Sequence, residues 1–160
     1  RQNGAWRETI QFGGSWWHQS PIQRGTMPPV YFIPAHYRRF AEKTDPLANC
    51  DKPTDFVTAA FHIWQLDKFV ELGGFNPCMA KIFQDTDICL RATQEGHPPM
   101  YLGKDIYLYH DESYNHHNNK EEQKMDKQFI SDQIVFGKCW NNDLLSIISG
   151  PQPPMGGENE

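Results

Sequence analysis

Between residues 56 and 140 the apolar and polar positions fall into strand-like and helix-like runs. Phe56 to Trp64 (FVTAAFHIW) is rich in β-branched and aromatic residues around a small-residue centre, which predicts a buried strand. Leu66, Phe69, Val70 and Leu72 then sit at helical spacing and predict a short helix over 66–72. Gly73-Gly74 stop it, because glycine takes the left-handed cap conformation cheaply, and Asn76-Pro77 makes the turn that follows. A longer helix is predicted over 84–95 with Ile88, Cys89 and Ala92 on one face, ended by Gly96 and Pro98-Pro99. Ile106, Leu108 and His110 alternate with Tyr107 and Tyr109, as a strand requires. Beyond the polar loop around His116 and His117, a second long helix over 121–139 carries an apolar stripe of Met125, Phe129, Ile130 and Ile134.

The pattern fades at both ends. Gly4 to Pro53 is irregular, with Trp6, Trp16, Trp17, Tyr31, Phe32 and Tyr37 set among Gly, Pro and polar residues; a stretch this long reads as a functional loop or an aromatic-stabilised surface loop. Residues 150–160 (GPQPPMGGENE) lack the apolar content to fold and read as a linker or disordered tail. There is no internal repeat. The expected class is α/β: a single domain over 1–149, with a small mixed sheet flanked by the helices at 84–95 and 121–139.

Composition narrows the partners. The 160 residues suffice for one domain with a core, and 38% hydrophobic with 13% aromatic residues marks a globular chain. A net charge of −5 without any Lys/Arg cluster argues against a nucleic-acid backbone as main partner. No apolar run is long enough to span a bilayer, and no signal peptide opens the chain. The first residue is Arg1, which suggests a fragment or processed chain. Cys50, Cys78, Cys89 and Cys139 form no C-x-x-C pair and no zinc-like spacing, so free thiols and a reducing, cytoplasmic compartment are expected. Cys89, inside the predicted helix, reads as a small buried thiol.

The candidate chemistry lies between Leu72 and His110. In order come LGGF at 72–75, QDTDICLR at 84–91, EGHPPMYLG at 95–103 and IYLYH at 106–110. Asp85 and Asp87 open a predicted helix, where a carboxylate can serve simply as a cap. Asp87 and Arg91 stand at i,i+4 with the acid first, the favourable orientation for a helical ion pair, and read as scaffolding. His110, at a strand end, reads as a hydrogen-bonded residue or as a metal ligand.

This ordered set resembles the acceptor-side half of family-2 glycosyltransferases of the GT-A fold, with their GGF(D/N) turn, ED-x-D-L-x-x-R helix and strand ending in His. Ile10-Gln11-Phe12-Gly13-Gly14 and Phe136 to Trp140 extend the resemblance to roughly residues 8–140. It implies inverting transfer of a hexosyl or deoxyhexosyl group from a nucleotide-diphosphate sugar to a glycan or lipid-linked acceptor, as in polysaccharide synthesis, in the cytoplasm or at the cytoplasmic face of a membrane. Asp85 takes the place of the base, Gln84 stands where the family has Glu, and Asp87 is placed to touch an acceptor hydroxyl. Thr58, Ala59 and Ala60 resemble the segment lining the sugar site, while Trp16 and Trp17 suit sugar stacking. His110 matches a ligand to Mn²⁺ or Mg²⁺. The assignment requires a strand at 56–64 and an Asp85 that reaches a cleft.

The family's nucleotide-binding βαβ half and its D-x-D metal motif are not among these residues, so the chain is expected to have little transfer activity alone and to form a dimer or to take the missing half from a partner chain. Two other readings stand beside transfer: a non-catalytic carbohydrate-binding or interaction module derived from such an enzyme, and a metal-dependent hydrolase using Asp85, Asp87 and His110.

Overall fold

The computed structural model describes residues 9–10, 12–19, 32–108 and 122–148. Its elements run β1 (Ser15–Gln19), β2 (Phe32–His36), β3 (Asp51–Pro53), α1 (Leu66–Glu71), α2 (Gln84–Gln94), β4 (Met100–Leu102), α3 (Glu122–Trp140) and α4 (Leu144–Ile147). The architecture is mixed α/β, as expected, but the sheet is not. Among the described residues there are two separate two-stranded antiparallel sheets, β1–β2 and β3–β4, in place of one small mixed sheet.

The N-terminal stretch is more ordered than its composition suggests. β1 and β2 pair with Trp17 opposite Pro34 and Ser15 opposite His36, and a two-stranded ribbon accommodates Pro34 because every strand in it is an edge. Trp17 turns into the core at 1% exposure and packs on Phe56 and Phe136. Its indole N–H donates to Asp55 Oδ2 at 2.8 Å, satisfying the one polar atom that burial would otherwise strand. Thr54 Oγ1 accepts the Ser15 N–H at 2.9 Å, and Ser15 Oγ accepts the Asp55 N–H at 2.9 Å, so the ribbon is tied to the segment that leaves β3.

Neither of two predicted strands is present over its described residues. Residues 56–64 form no sheet pairing: the Phe61 N–H returns to the Thr58 carbonyl at 3.3 Å, turning the chain, and the Ala59 N–H goes to the Asp85 carboxylate at 2.9 Å. Composition favoured a strand, yet a strand exists only against a partner ladder, and these backbone donors are spent elsewhere. The GT-A sheet assignment, which required that strand, therefore does not hold for the described residues. Residues 106–108 likewise carry no strand, and Ile106, Tyr107 and Leu108 are all exposed, without the alternation the sequence suggested. Tyr109, His110, the loop around His116 and His117, and the tail at 150–160 lie outside the described residues.

The helices agree with the sequence in place but not always in face. α2 buries Thr86, Asp87, Ile88, Cys89, Leu90 and Ala92. α1 ends as glycine dictates. The Gly74 N–H reaches the Phe69 carbonyl and the Gly73 N–H the Val70 carbonyl, both at 2.9 Å, with φ of +67° and +79°, the pairing of a Schellman cap. On α3 the buried face is Asp132, Phe136 and Trp140, while Phe129 and Ile130 of the expected stripe are exposed and Met125 precedes the described side chains. A stripe picked by hydrophobicity overlooks a charged residue that faces inward.

Asp132 faces inward because its carboxylate is fully used. It accepts the backbone N–H groups of Ala80 (3.2 Å), Lys81 (2.7 Å) and Ile82 (3.0 Å) and the Gln128 side-chain amide (2.7 Å), clamping the 80–82 loop to α3. Burial alone would raise the carboxyl's proton affinity, but these donors outweigh it and hold its pKa below the usual carboxylate value. The stabilisation is thus complete above the unfolded-state pKa and drains away as pH falls through the lower folded-state one. Asp132→Asn is expected to cost about 2–3 kcal/mol near neutrality. The gap from wild type in urea melts should narrow on acidification; a gap that stays constant down to strongly acid pH would refute the charge as its source.

Candidate functional site

The site is built where α2 begins. Phe83 precedes it at φ +67°, a left-handed conformation that costs a side-chain-bearing residue about 1–2 kcal/mol. Packing holds it there, with the Phe83 ring 4.6 Å from that of Phe136. That turn delivers Gln84, half-buried, and then Asp85 into the first helical turn.

Asp85 and Asp87 have opposite fates. Asp87 is 2% exposed and wholly committed. Its Oδ2 accepts Arg91 Nε at 2.9 Å and Nη2 at 2.8 Å, and its Oδ1 accepts the Trp140 indole N–H at 2.9 Å. Arg91 continues outward, donating from Nη2 to the Gly74 carbonyl at 2.7 Å and from Nη1 to the Leu72 carbonyl. One guanidinium thus locks the glycine turn after α1 onto α2, neutralising carbonyls at a helix C-terminus as a cation does well. The Asp87–Arg91 ion pair expected from the i,i+4 spacing is present, and Asp87 is buried with three of its acceptor positions filled.

Asp85 is half-buried and has no ion pair among the described residues. It is not the N-cap residue, yet its Oδ1 accepts the Thr86 N–H at 2.8 Å, as a first-turn carboxylate can, while Oδ2 accepts the Ala59 N–H at 2.9 Å. The Thr86 hydroxyl also donates to Oδ1 at 3.4 Å, so of a carboxylate's about four lone-pair positions about one remains for another donor. The Ala59 contact also draws the 58–61 turn over the helix start, bringing Thr58, Ala59 and Ala60 beside Asp85 with both alanines exposed.

The aromatic neighbours are not the tryptophans singled out by sequence. Trp17 is a core residue with no free face, and Trp16, on the opposite face of β1, is half-buried. Instead the chain beyond the turn supplies His62 and Trp64. The His62 ring stacks on Phe75 at 5.7 Å and 13°, and Trp64 meets Phe69 edge-on at 5.9 Å. The Trp64 indole N–H donates to His62 Nδ1 at 3.1 Å. Burial holds the imidazole pKa below the usual histidine range, with the charge of Asp85 pulling the other way. In the structure the half-buried His62 and Trp64 alternate with the exposed Phe61 and Ile63, so the two rings meet at i,i+2.

Other chemistry is excluded or not assembled. The Cys89 thiol is pushed up to about 12 by burial, so it is no nucleophile, and the four cysteines are free. Among the described residues no three His, Cys, Asp or Glu groups converge as a metal cage. Since Asp87 is consumed by Arg91 and Trp140, the Asp85–Asp87 pair does not fit a cation, and the metal role expected of His110 falls outside the described residues. No helix among the described residues is long and apolar enough to cross a membrane. No family model, curated protein or solved structure matches this chain.

Proposed function

We propose that this chain is the acceptor-side half of an inverting glycosyltransferase, with Asp85 as its base. What supports the reading best is the contrast within the carboxylate pair: Asp87 is locked into a buried ion-paired hub, while two residues earlier the half-buried Asp85 is fixed by three hydrogen bonds, keeps an acceptor position and has no ion pair among the described residues. A base needs that combination of fixed position and spare acceptor capacity. With the strand at 56–64 absent, the reading rests on Asp85, the glycine turn and the α2 hub, not on the GT-A sheet.

In the proposed reaction an acceptor hydroxyl donates a hydrogen bond to Asp85. As the hydroxyl oxygen forms its bond to the anomeric carbon, its proton passes to the carboxylate. The bond from that carbon to the nucleotide diphosphate breaks on the opposite face, and the diphosphate leaves with the electron pair. Inversion follows from this single displacement, through a transition state with oxocarbenium character. The nucleotide-sugar donor would be held by the complementary nucleotide-binding half, in the same polypeptide or a partner chain.

The test is a transfer assay on the assembled protein with radiolabelled nucleotide-diphosphate sugars and a panel of glycan and lipid-linked acceptors. Transfer that depends on Asp85 supports the reading. Glycan binding with no transfer to any acceptor would favour the sugar-binding module instead.

A further inference from the structure

We infer that His62 donates a hydrogen bond from Nε2 to a hydroxyl of a sugar ring seated beside Asp85, making the 58–62 segment a carbohydrate subsite. The inference deepens the proposed function by naming the group that would orient the acceptor, and it rests on that reading for the sugar being an acceptor. The subsite itself stands on separate geometry.

The first step is the tautomer. An indole N–H can only donate, so the 3.1 Å bond from Trp64 Nε1 requires a lone pair on His62 Nδ1. The neutral ring then carries its proton on Nε2. Imidazolium would place a second N–H against the indole N–H, so protonation breaks this contact, and burial opposes it further. His62 is therefore a fixed single donor at neutral pH, with its plane set by stacking on Phe75.

The second step is what stands next to it. Asp85 keeps an acceptor position beside the three hydrogen bonds it accepts, and its bond from the Ala59 N–H ties it to the Thr58–Phe61 turn that leads directly into His62. A fixed donor and a fixed acceptor on adjoining backbone match neighbouring hydroxyls, each of which both gives and takes a hydrogen bond. Phe61 and Phe75, at 59% and 42% exposure, add apolar aromatic surface of the kind that covers the C–H face of a pyranose. A phosphate or carboxylate ligand is disfavoured by the charge of Asp85, which has no ion pair among the described residues. A purely apolar ligand would strand the His62 donor.

The experiment uses the full chain, ¹⁵N-labelled, titrated with methyl hexopyranosides at millimolar concentration, with cyclohexanol as the non-sugar control. Long-range ¹H–¹⁵N spectra should show His62 protonated on Nε2, and sugar addition should shift the His62 and Phe75 ring signals while cyclohexanol does not. His62→Phe, which keeps the ring but removes the donor, should weaken binding about five- to tenfold, the loss of one net hydrogen bond. His62→Gln should recover part of it. Trp64→Phe, which removes the bond fixing the tautomer while leaving residue 62 a histidine, should also weaken binding. An Nδ1-protonated ring, or His62→Phe binding sugar like wild type, overturns the inference.

The two readings fail separately. If Asp85→Asn abolishes transfer by the assembled enzyme while His62→Phe leaves the acceptor KM unchanged, the subsite is wrong and the transferase stands. If His62→Phe loses sugar binding while Asp85→Asn keeps full turnover, the transferase is wrong and the subsite stands.

Discussion

Asp85→Asn is expected to reduce sugar transfer by the assembled enzyme about 10²- to 10⁴-fold, the range over which a positioned general base contributes. The amide has nearly the shape of the carboxylate but cannot take the acceptor proton. Structure should survive the change. The amide oxygen can still accept one of the two N–H groups now bound by Asp85, from Ala59 or Thr86. The other N–H loses its partner in a half-exposed position where water can replace it, and the first helical turn loses one favourable charge. Together these amount to about 1 kcal/mol. The distinguishing measurement is therefore kcat on a variant whose urea midpoint has been shown to lie near wild type. A well-folded Asp85→Asn enzyme with near-wild-type kcat would remove Asp85 from the reaction.

Asp87→Ala, two residues on, is expected to act in the opposite way, through stability. The side chain is buried and pairs with Arg91 and with the Trp140 indole. Removing it leaves the Arg91 guanidinium without its counter-charge and the Trp140 indole N–H without a partner beside a buried cavity, and breaking a buried pair from one side costs about 3–5 kcal/mol. Against a typical total of about 5–15 kcal/mol, that is a large share of the fold. Arg91 also holds the Leu72 and Gly74 carbonyls, so the loosening should reach the glycine turn. Equilibrium urea unfolding of Asp87→Ala, Arg91→Met and the double variant checks this. The double variant should lose much less than the two single losses added together, because the second change removes the group the first had orphaned. Additive losses, or an Asp87→Ala cost below about 1 kcal/mol, would show that the hub is not what fastens α2.

The parts legible in sequence are those that local rules decide. The spacing of Leu66, Phe69 and Leu72 and the glycines after them set α1 and its cap, and QDTDICLR set both α2 and the Asp87–Arg91 pair, because an i,i+4 contact is fixed by helical geometry alone. What sequence could not supply is pairing at a distance. Phe56–Trp64 has a strand's composition without a ladder to join, and Trp17 looks like a binding-loop aromatic until Phe56 and Phe136 close over it. The inward charge of Asp132 depends on three loop N–H groups some fifty positions away, which no periodicity reveals. His62 was missed because its meaning comes from the indole beside it and the carboxylate that the turn brings near.

The Trp140–Asp87 bond spans 53 positions, and this sets an order of events during synthesis. Asp87 and Arg91 emerge together and can pair as soon as α2 forms, but their buried environment is closed by an indole made much later. At about 5–20 residues per second, the hub waits on the order of 3–10 s for its last donor, and Asp132 reaches the 80–82 loop only shortly before. Through that interval the glycine turn and the start of α2 are exposed to chaperones and proteases. Ribosome-bound chains arrested before residue 132 should be cut within 72–94, and chains whose residues through 148 have left the ribosome should resist; equal resistance in both would mean that the earlier part closes without the second half of α3 and α4.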